Sequence, residues 1–245
     1  MRKKILIILL GLAILLLGGG WICIRLLAAS FQPATPSGKQ GGSHESIVRD
    51  SEPLPYKRWW FEIFTPEYLP ASVSYALFYD EDKYIFQIIR PDNANQDYGS
   101  MNTWNKRLGS ASGGIKNYGE ALPRALTICW DSIIDKKSYQ TVFYFTSEVW
   151  QLMREPAAGR RLKEHTFYRN TIFIGLAPGG TARAWLRGYD KNNGDNILIA
   201  TGKSFSDDEM PATCKGKTKH SDGYGEYSEE IKTFIEGKEY PYGKW

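Results

Sequence analysis

The residues that most often carry chemistry are the ones this chain has least of. It holds three histidines and three cysteines in 245 residues. His44, His165 and His220 stand apart from one another, and only Cys214 lies near one of them (His220). A structural zinc site needs four ligands at short spacings, so none is expected here. An excess of positive charge is missing too. Of the 31 basic residues, four (Arg2, Lys3, Lys4, Arg25) lie in residues 1–30, which hold no acid; 27 basic and 27 acidic residues remain in 31–245. Nucleic-acid binders carry a clustered basic stripe, and its absence argues against that class. The short run Arg160-Arg161-Lys163 reads as a solvated face.

Catalytic motifs are absent for reasons of spacing. Gly202-Lys203-Ser204 looks like the end of a phosphate loop, but Ile197 stands where the motif needs a glycine. Asp190 to Asp195 resembles a calcium loop, yet Gly194 comes one position early and Thr201 replaces the closing glutamate. In Gly109-Ser110-Ala111-Ser112-Gly113 the position of a nucleophile is Ala111. The expectation is a protein that is not an enzyme and needs no metal or cofactor.

What the chain does have is a stretch with no charge at all. Ile5 to Ile24 follows Arg2-Lys3-Lys4, and twenty residues at about 1.5 Å each span the roughly 30 Å core of a bilayer. The cationic start favours a cytoplasmic N-terminus, with the remainder on the far side of the membrane. Residues 1–30 therefore read as a signal anchor. Two other fates stay open: cleavage after Ala28-Ala29-Ser30, which would secrete the protein, and lipidation at Cys23. Residues 31–55, with Pro33, Pro36, Pro53, Pro55 and several Gly and Ser, read as a flexible linker.

Residues 56–245 are long enough for one well-buried domain. Strands are expected over 57–64, around Val73, Tyr75, Leu77 and Tyr79 with period two, and over 84–89. The last two join through Asp80-Glu81-Asp82 as a hairpin. Further strands fit 125–133, 139–145, 171–176, 182–189 and 197–201. Thr146 or Ser147 is placed to cap a helix carrying Val149, Trp150 and Met153, and Ser228 a last helix carrying Ile231, Phe234 and Ile235. A short helix is expected around Met101 to Lys106. The pattern predicts an α+β domain, rich in antiparallel sheet, with two or three helices. With Cys23 in the membrane run, Cys129 and Cys214 are the candidate disulfide pair in an oxidising compartment. Trp59, Trp60 and Trp104 are candidates for an exposed binding face, since aromatic anchors dominate interface energy.

Several short segments together carry a resemblance. They are Trp59 and Phe61, Leu69-Pro70, Leu122-Pro123, Cys129-Trp130-Asp131-Ser132 and Tyr139. Ile174-Gly175-Leu176-Ala177-Pro178-Gly179-Gly180, Trp185-Leu186 and the closing Tyr242-Gly243-Lys244-Trp245 complete them. The domain resembles the bacterial domain-of-unknown-function family 2931. That resemblance implies a Gram-negative envelope protein, often a lipoprotein, and brings no catalytic residue with it; because Trp21-Ile22 before Cys23 make a poor lipidation site, it favours the inner membrane, with the domain facing the periplasm. Relatives encoded beside type VI secretion lipase effectors further imply immunity against a secreted effector. Physically, the Pro-Gly-Gly turn folds two strands back, while Trp130 and Trp185 fill a core. Two alternatives come from other classes: a glycan- or lipid-binding module using the Asn-rich 93–105 loop, and an envelope hydrolase with a carboxylate pair in a cleft.

Overall fold

The computed structural model describes residues 51–89, 94–108, 115–116, 121–162, 165–189 and 194–245. The expected anchor and most of the linker lie outside these residues, as do the Gly109 to Gly113 segment and the turn at Asn193. Among the described residues no helix is long and apolar enough to cross a membrane. The tail of the expected linker belongs to the domain. The Ser51 backbone N–H and hydroxyl both donate to the Asp82 carboxylate, at 2.8 and 2.9 Å, and Leu54 packs on the core.

Two sheets pack face to face. The six-stranded sheet runs in the order β12 (Ile197–Thr201), β11 (Thr181–Leu186), β10 (Thr171–Ala177), β1 (Trp60–Pro66), β4 (Ala94–Asp97), with the short β5 (Ile115–Lys116) also pairing with β1. The five-stranded sheet runs β13 (Lys203–Ser206), β7 (Lys137–Tyr144), β6 (Pro123–Ser132), β2 (Ala71–Asp80), β3 (Ile85–Ile89). A separate ribbon joins β8 (Pro156–Leu162) and β9 (His165–Tyr168). The five-stranded sheet is antiparallel throughout, as expected. The other is mixed, because β1 runs parallel to both β10 and β4. Its partners come from distant segments, so no hairpin pattern in the sequence announces that pairing.

The core lies between the sheets. Trp59, Phe61, Ile63, Ile172 and Leu176 meet Val73, Phe78, Leu126, Ile128 and Trp130, with Phe61 and Phe78 rings 4.5 Å apart. Each such buried side chain contributes about 1.5–3 kcal/mol relative to exposure. The sheets are stitched at one edge by Gly202. A Cβ there would lie 2.5 Å from Thr141 Cγ2, so only glycine lets the chain turn from β12 directly into β13. Its place in Gly202-Lys203-Ser204 is thus a corner. A chain of hydrogen bonds crosses beside it: Trp130 Nε1 donates to Thr141, Thr141 to Ser204, and Ser204 to the Gly180 carbonyl.

Two helices complete the domain. Helix α1 (Ser147–Arg154) buries Val149 and Met153 on the inter-sheet core. Thr146 takes its N-cap position without a side-chain cap bond, and hydrogen bonding from Thr146 holds the Glu148 acid below its ordinary pKa. Helix α2 (Glu229–Ile235) is capped by Ser228, whose hydroxyl accepts the Ile231 N–H. It buries Ile231 and Phe234 on the outside of the six-stranded sheet. No helix forms around Met101 to Lys106. Asp97 and Ser100 offer the backbone competing partners there, with Asn105 N donating to Asp97 Oδ2 at 3.0 Å and Ser100 N to the Asp97 carbonyl at 3.0 Å.

Candidate functional site

Two of the three tryptophans expected on an exposed face are buried. Trp59 is 0% exposed and its indole donates to the Ala121 carbonyl at 2.9 Å. Trp104 lies edge-on between Trp185 and Trp245, with ring centroids 5.5 and 5.7 Å away. Trp60 is half-buried at the start of β1. The reason is size: an indole covers so much apolar area that a core position wins wherever the fold offers one. Trp104 explains the nearby glycine as well. A Cβ on Gly175 would come within 2.8 Å of both Trp104 and Trp185.

The exposed apolar surface lies elsewhere, on the outer face of the five-stranded sheet. Period two along β2 would place Val73 beside Tyr75, Leu77 and Tyr79. A bulge at Ser74 breaks that rhythm, since Val73 pairs with Trp130 and Tyr75 with the very next residue back, Cys129. Val73 therefore enters the core with Ala76 and Phe78, while Tyr75, Leu77 and Tyr79 turn outward. The strand pairings then assemble three rows: Ile85–Tyr79–Ala125–Tyr144, Gln87–Leu77–Thr127–Val142, and Ile89–Tyr75–Cys129–Gln140. At about 4.8 Å between strands and 7 Å between alternate residues, they cover a patch of roughly 14 by 14 Å.

This patch is open along β3, where Ile85 is 59% exposed and Ile89 70%, and at the β7 end of its first row, where Tyr144 is 71% exposed. Among the described residues β3 pairs only with β2, and its sequence Ile-Phe-Gln-Ile-Ile carries no charge and no proline. Edge strands are ordinarily blunted by such residues because their unpaired N–H and C=O groups invite another strand. At the opposite end, Tyr75 is held in place: its hydroxyl donates to Gln87 Oε1 at 2.9 Å and the Lys217 ammonium sits 5.1 Å from its ring centre. Burial raises its pKa, so it stays a neutral phenol.

That end is closed by a pinned loop. Cys129 and Cys214 are joined in a disulfide with Cα atoms 5.3 Å apart. Beside it the fully buried Asp131 carboxylate accepts from the hydroxyls of Ser138 (2.6 Å), Thr218 (2.7 Å) and Tyr224 (3.1 Å) and from Lys219 N (2.9 Å). Tyr224 is pushed above its ordinary pKa chiefly by burial, and His220 stacks on its ring at 4.7 Å. Asp131 therefore fastens the loop to the sheet; all four donors are spent on it. Nothing in the sequence marks this role beyond the adjacency of Cys129, Trp130 and Asp131.

Other ionisable groups among the described residues, such as Asp135, are engaged in holding turns. Asp135 Oδ2 accepts from Tyr139 (3.1 Å) and from Gly179 N (2.8 Å), which locks the Pro-Gly-Gly turn, where Gly179 and Gly180 have φ of 74° and 69°. Burial, with Asp135 nearby, raises the pKa of Tyr139 and of Tyr240 well above the usual phenol range. Phenols so held are poor nucleophiles and poor acids. Among the described residues no three His, Cys, Asp or Glu side chains are grouped to hold a metal ion. In the Asn-rich loop, the Asn105 amide is consumed by Asp97 Oδ1 and the Tyr98 carbonyl, both at 2.8 Å.

Fold and surface together define a two-sheet domain with one apolar outer face that the described residues leave open. The chain belongs to the family described as "Protein of unknown function (DUF2931)", which matches residues 39–243. No curated protein and no solved structure matches it.

Proposed function

We propose that this chain is a non-enzymatic protein-binding domain, held at the periplasmic side of the inner membrane by residues 5–24. In its most concrete form it is an immunity protein that occludes a secreted effector. One observation carries the binding reading: the outward rows of Tyr75, Leu77, Tyr79, Ile85, Ile89 and Tyr144, ending in an uncharged edge strand. Exposed apolar patches bounded by polar residues mark interaction sites, and the β3 edge suits main-chain pairing with a partner strand. The Cys129–Cys214 bridge supports an oxidising compartment. The resemblance to proteins encoded beside secreted effectors supports the choice of partner. A glycan- or lipid-binding module draws less support, because Trp104 is buried and Asn105 already bonded.

The test compares full-length protein with an Ile85→Lys/Ile89→Lys double variant in native membranes. Mild cross-linking, affinity capture and mass spectrometry would read the partner, and survival under delivery of the effector by sibling cells would read protection. A single stoichiometric effector with the parent chain, lost together with protection in the variant, is the expected result. Equal capture and equal protection by both chains would remove the face from the mechanism.

A further inference from the structure

On the far side of the molecule a groove of about 560 Å³ runs along helix α2. Its apolar floor is made by Tyr68, Met101 and Phe234, and Glu229, Glu230 and Glu236 stand around it. Tyr68 is built into this place at a cost. It sits at φ 65°, a conformation that non-glycine residues seldom adopt, and its ring stacks on Phe234 with centroids 5.2 Å apart. Such backbone outliers persist only where the surroundings hold them, and they concentrate at binding sites.

The floor already holds a cation. Gly237 ends α2 with φ 69°, and Lys238 N then bonds the Ile235 carbonyl. That turn brings the Lys238 ammonium back over Phe234, 3.2 Å from the ring centre. The aromatic face is thus shaped for a positive charge. Lys238 is also partly stripped of water, which lowers its pKa. Against this one ammonium stand three carboxylates. Glu229 pairs outward with Lys232 at 2.8 Å, while Glu230 and Glu236 form no ion pair among the described residues. Seven residues separate Glu229 from Glu236, about 10 Å at helical rise, so the rim is acidic along the groove's length.

We propose that this groove docks a basic segment of a partner protein, in which lysine or arginine residues flank an apolar side chain. One incoming cation takes the place of Lys238 over Phe234, and Glu230 and Glu236 pair with it and its neighbour. The apolar side chain settles on Met101, which is 43% exposed. Lys238 is the internal stand-in that keeps the ring covered until then. This surface is separate from the open sheet face, and the inference stands whether or not that face binds an effector.

The experiment titrates the purified full chain in detergent against a fluorescent peptide with lysine and arginine on either side of a leucine, read by anisotropy at low and high salt. Glu230→Gln and Glu236→Gln should each weaken binding about 2–5-fold at low salt, an effect that fades at high salt. Tyr68→Ala should weaken it about fivefold. Lys238→Ala should tighten it about 2–5-fold, because the resident competitor is gone. Asp222→Asn, an exposed acid in the disulfide loop, should change nothing. Thermal unfolding of each variant separates lost binding from lost fold. The proposal fails if the peptide does not bind, if Lys238→Ala weakens binding, or if Asp222→Asn matches the groove variants, which would mean attraction by net charge alone. Equal competition by a free linear polyamine would also overturn it, because the ligand would then be a small organic cation.

Discussion

The two sheets bury their inner faces in one shared core, yet their outer faces are finished in opposite ways. Over the six-stranded sheet, Phe64, Phe173 and Trp185 are roofed by Trp104, Trp245 and helix α2, forming a second buried cluster. Over the five-stranded sheet, Tyr75, Leu77 and Tyr79 are half-buried, and Ile85, Ile89 and Tyr144 are exposed. Both faces are aromatic and aliphatic, so composition does not separate them. What separates them is whether the chain returns to cover the strands. Among the described residues, the 98–108 segment, α2 and the C-terminus return to the first face, and the loop around Cys214 returns to one end of the second. A covered face contributes to stability, and an open one is available for binding. Substitutions should therefore affect different observables on the two sides.

The largest effect is expected from removing the roof. Trp104→Ala leaves a cavity above Gly175, between Trp185 and Trp245, and should cost about 3–5 kcal/mol in urea unfolding. A loss below about 1 kcal/mol would mean that the second cluster is not a cooperative part of the fold. Next comes the loop that covers one end of the open face. Replacing Cys129 and Cys214 by serine releases a closure of 85 residues and should cost about 2–5 kcal/mol. Asp131 and its four donors should keep residues 218–224 partly ordered. Hydrogen exchange should therefore rise most at 211–217, and a uniform rise across the domain would show that the bridge stabilises the whole fold equally.

A smaller effect tests Gly175, packed under the two indoles. Gly175→Ala forces a methyl group against two indoles at 2.8 Å and should cost about 1–3 kcal/mol. Trp104→Ala in the same chain should relieve most of that cost, because it removes one of the two clashing rings. Additive losses would show that Trp185 alone sets the limit.

Much of the frame was legible before the structure. Ser228 capping α2, the hairpin turning at Asp80 and the Gly179-Gly180 reversal are each set by local chemistry. The open face was not legible. Its signal, alternation along β2, is the same whether Tyr75, Leu77 and Tyr79 point in or out. One extra residue, Ser74, decides the question, held by its hydroxyl bonds to the Cys129 and Lys217 carbonyls, 55 and 143 residues away. Trp59 and Trp104 misled for a related reason: an aromatic suits a core and an interface equally, and only the returning chain tells which it fills. The parallel pairing of β1 with β4 and β10 also rests on contacts between remote segments.

The smallest effect on stability is the most informative for function. Ile85→Lys and Ile89→Lys lie on the open face, at 59% and 70% exposure, and neither leaves a cavity or strands a buried group. Each should shift unfolding by no more than about 0.5 kcal/mol. Lysine on an edge strand is also the residue that blocks pairing with a further strand, so both variants should resist edge-to-edge association and lose a partner that binds there. Unfolding curves measured beside partner capture would separate these readouts. A loss of several kcal/mol would mean that something beyond the described residues covers this face, and it would then be a second core. Unchanged stability together with lost capture would establish that the two outer faces serve different ends, one holding the domain together and the other holding its partner.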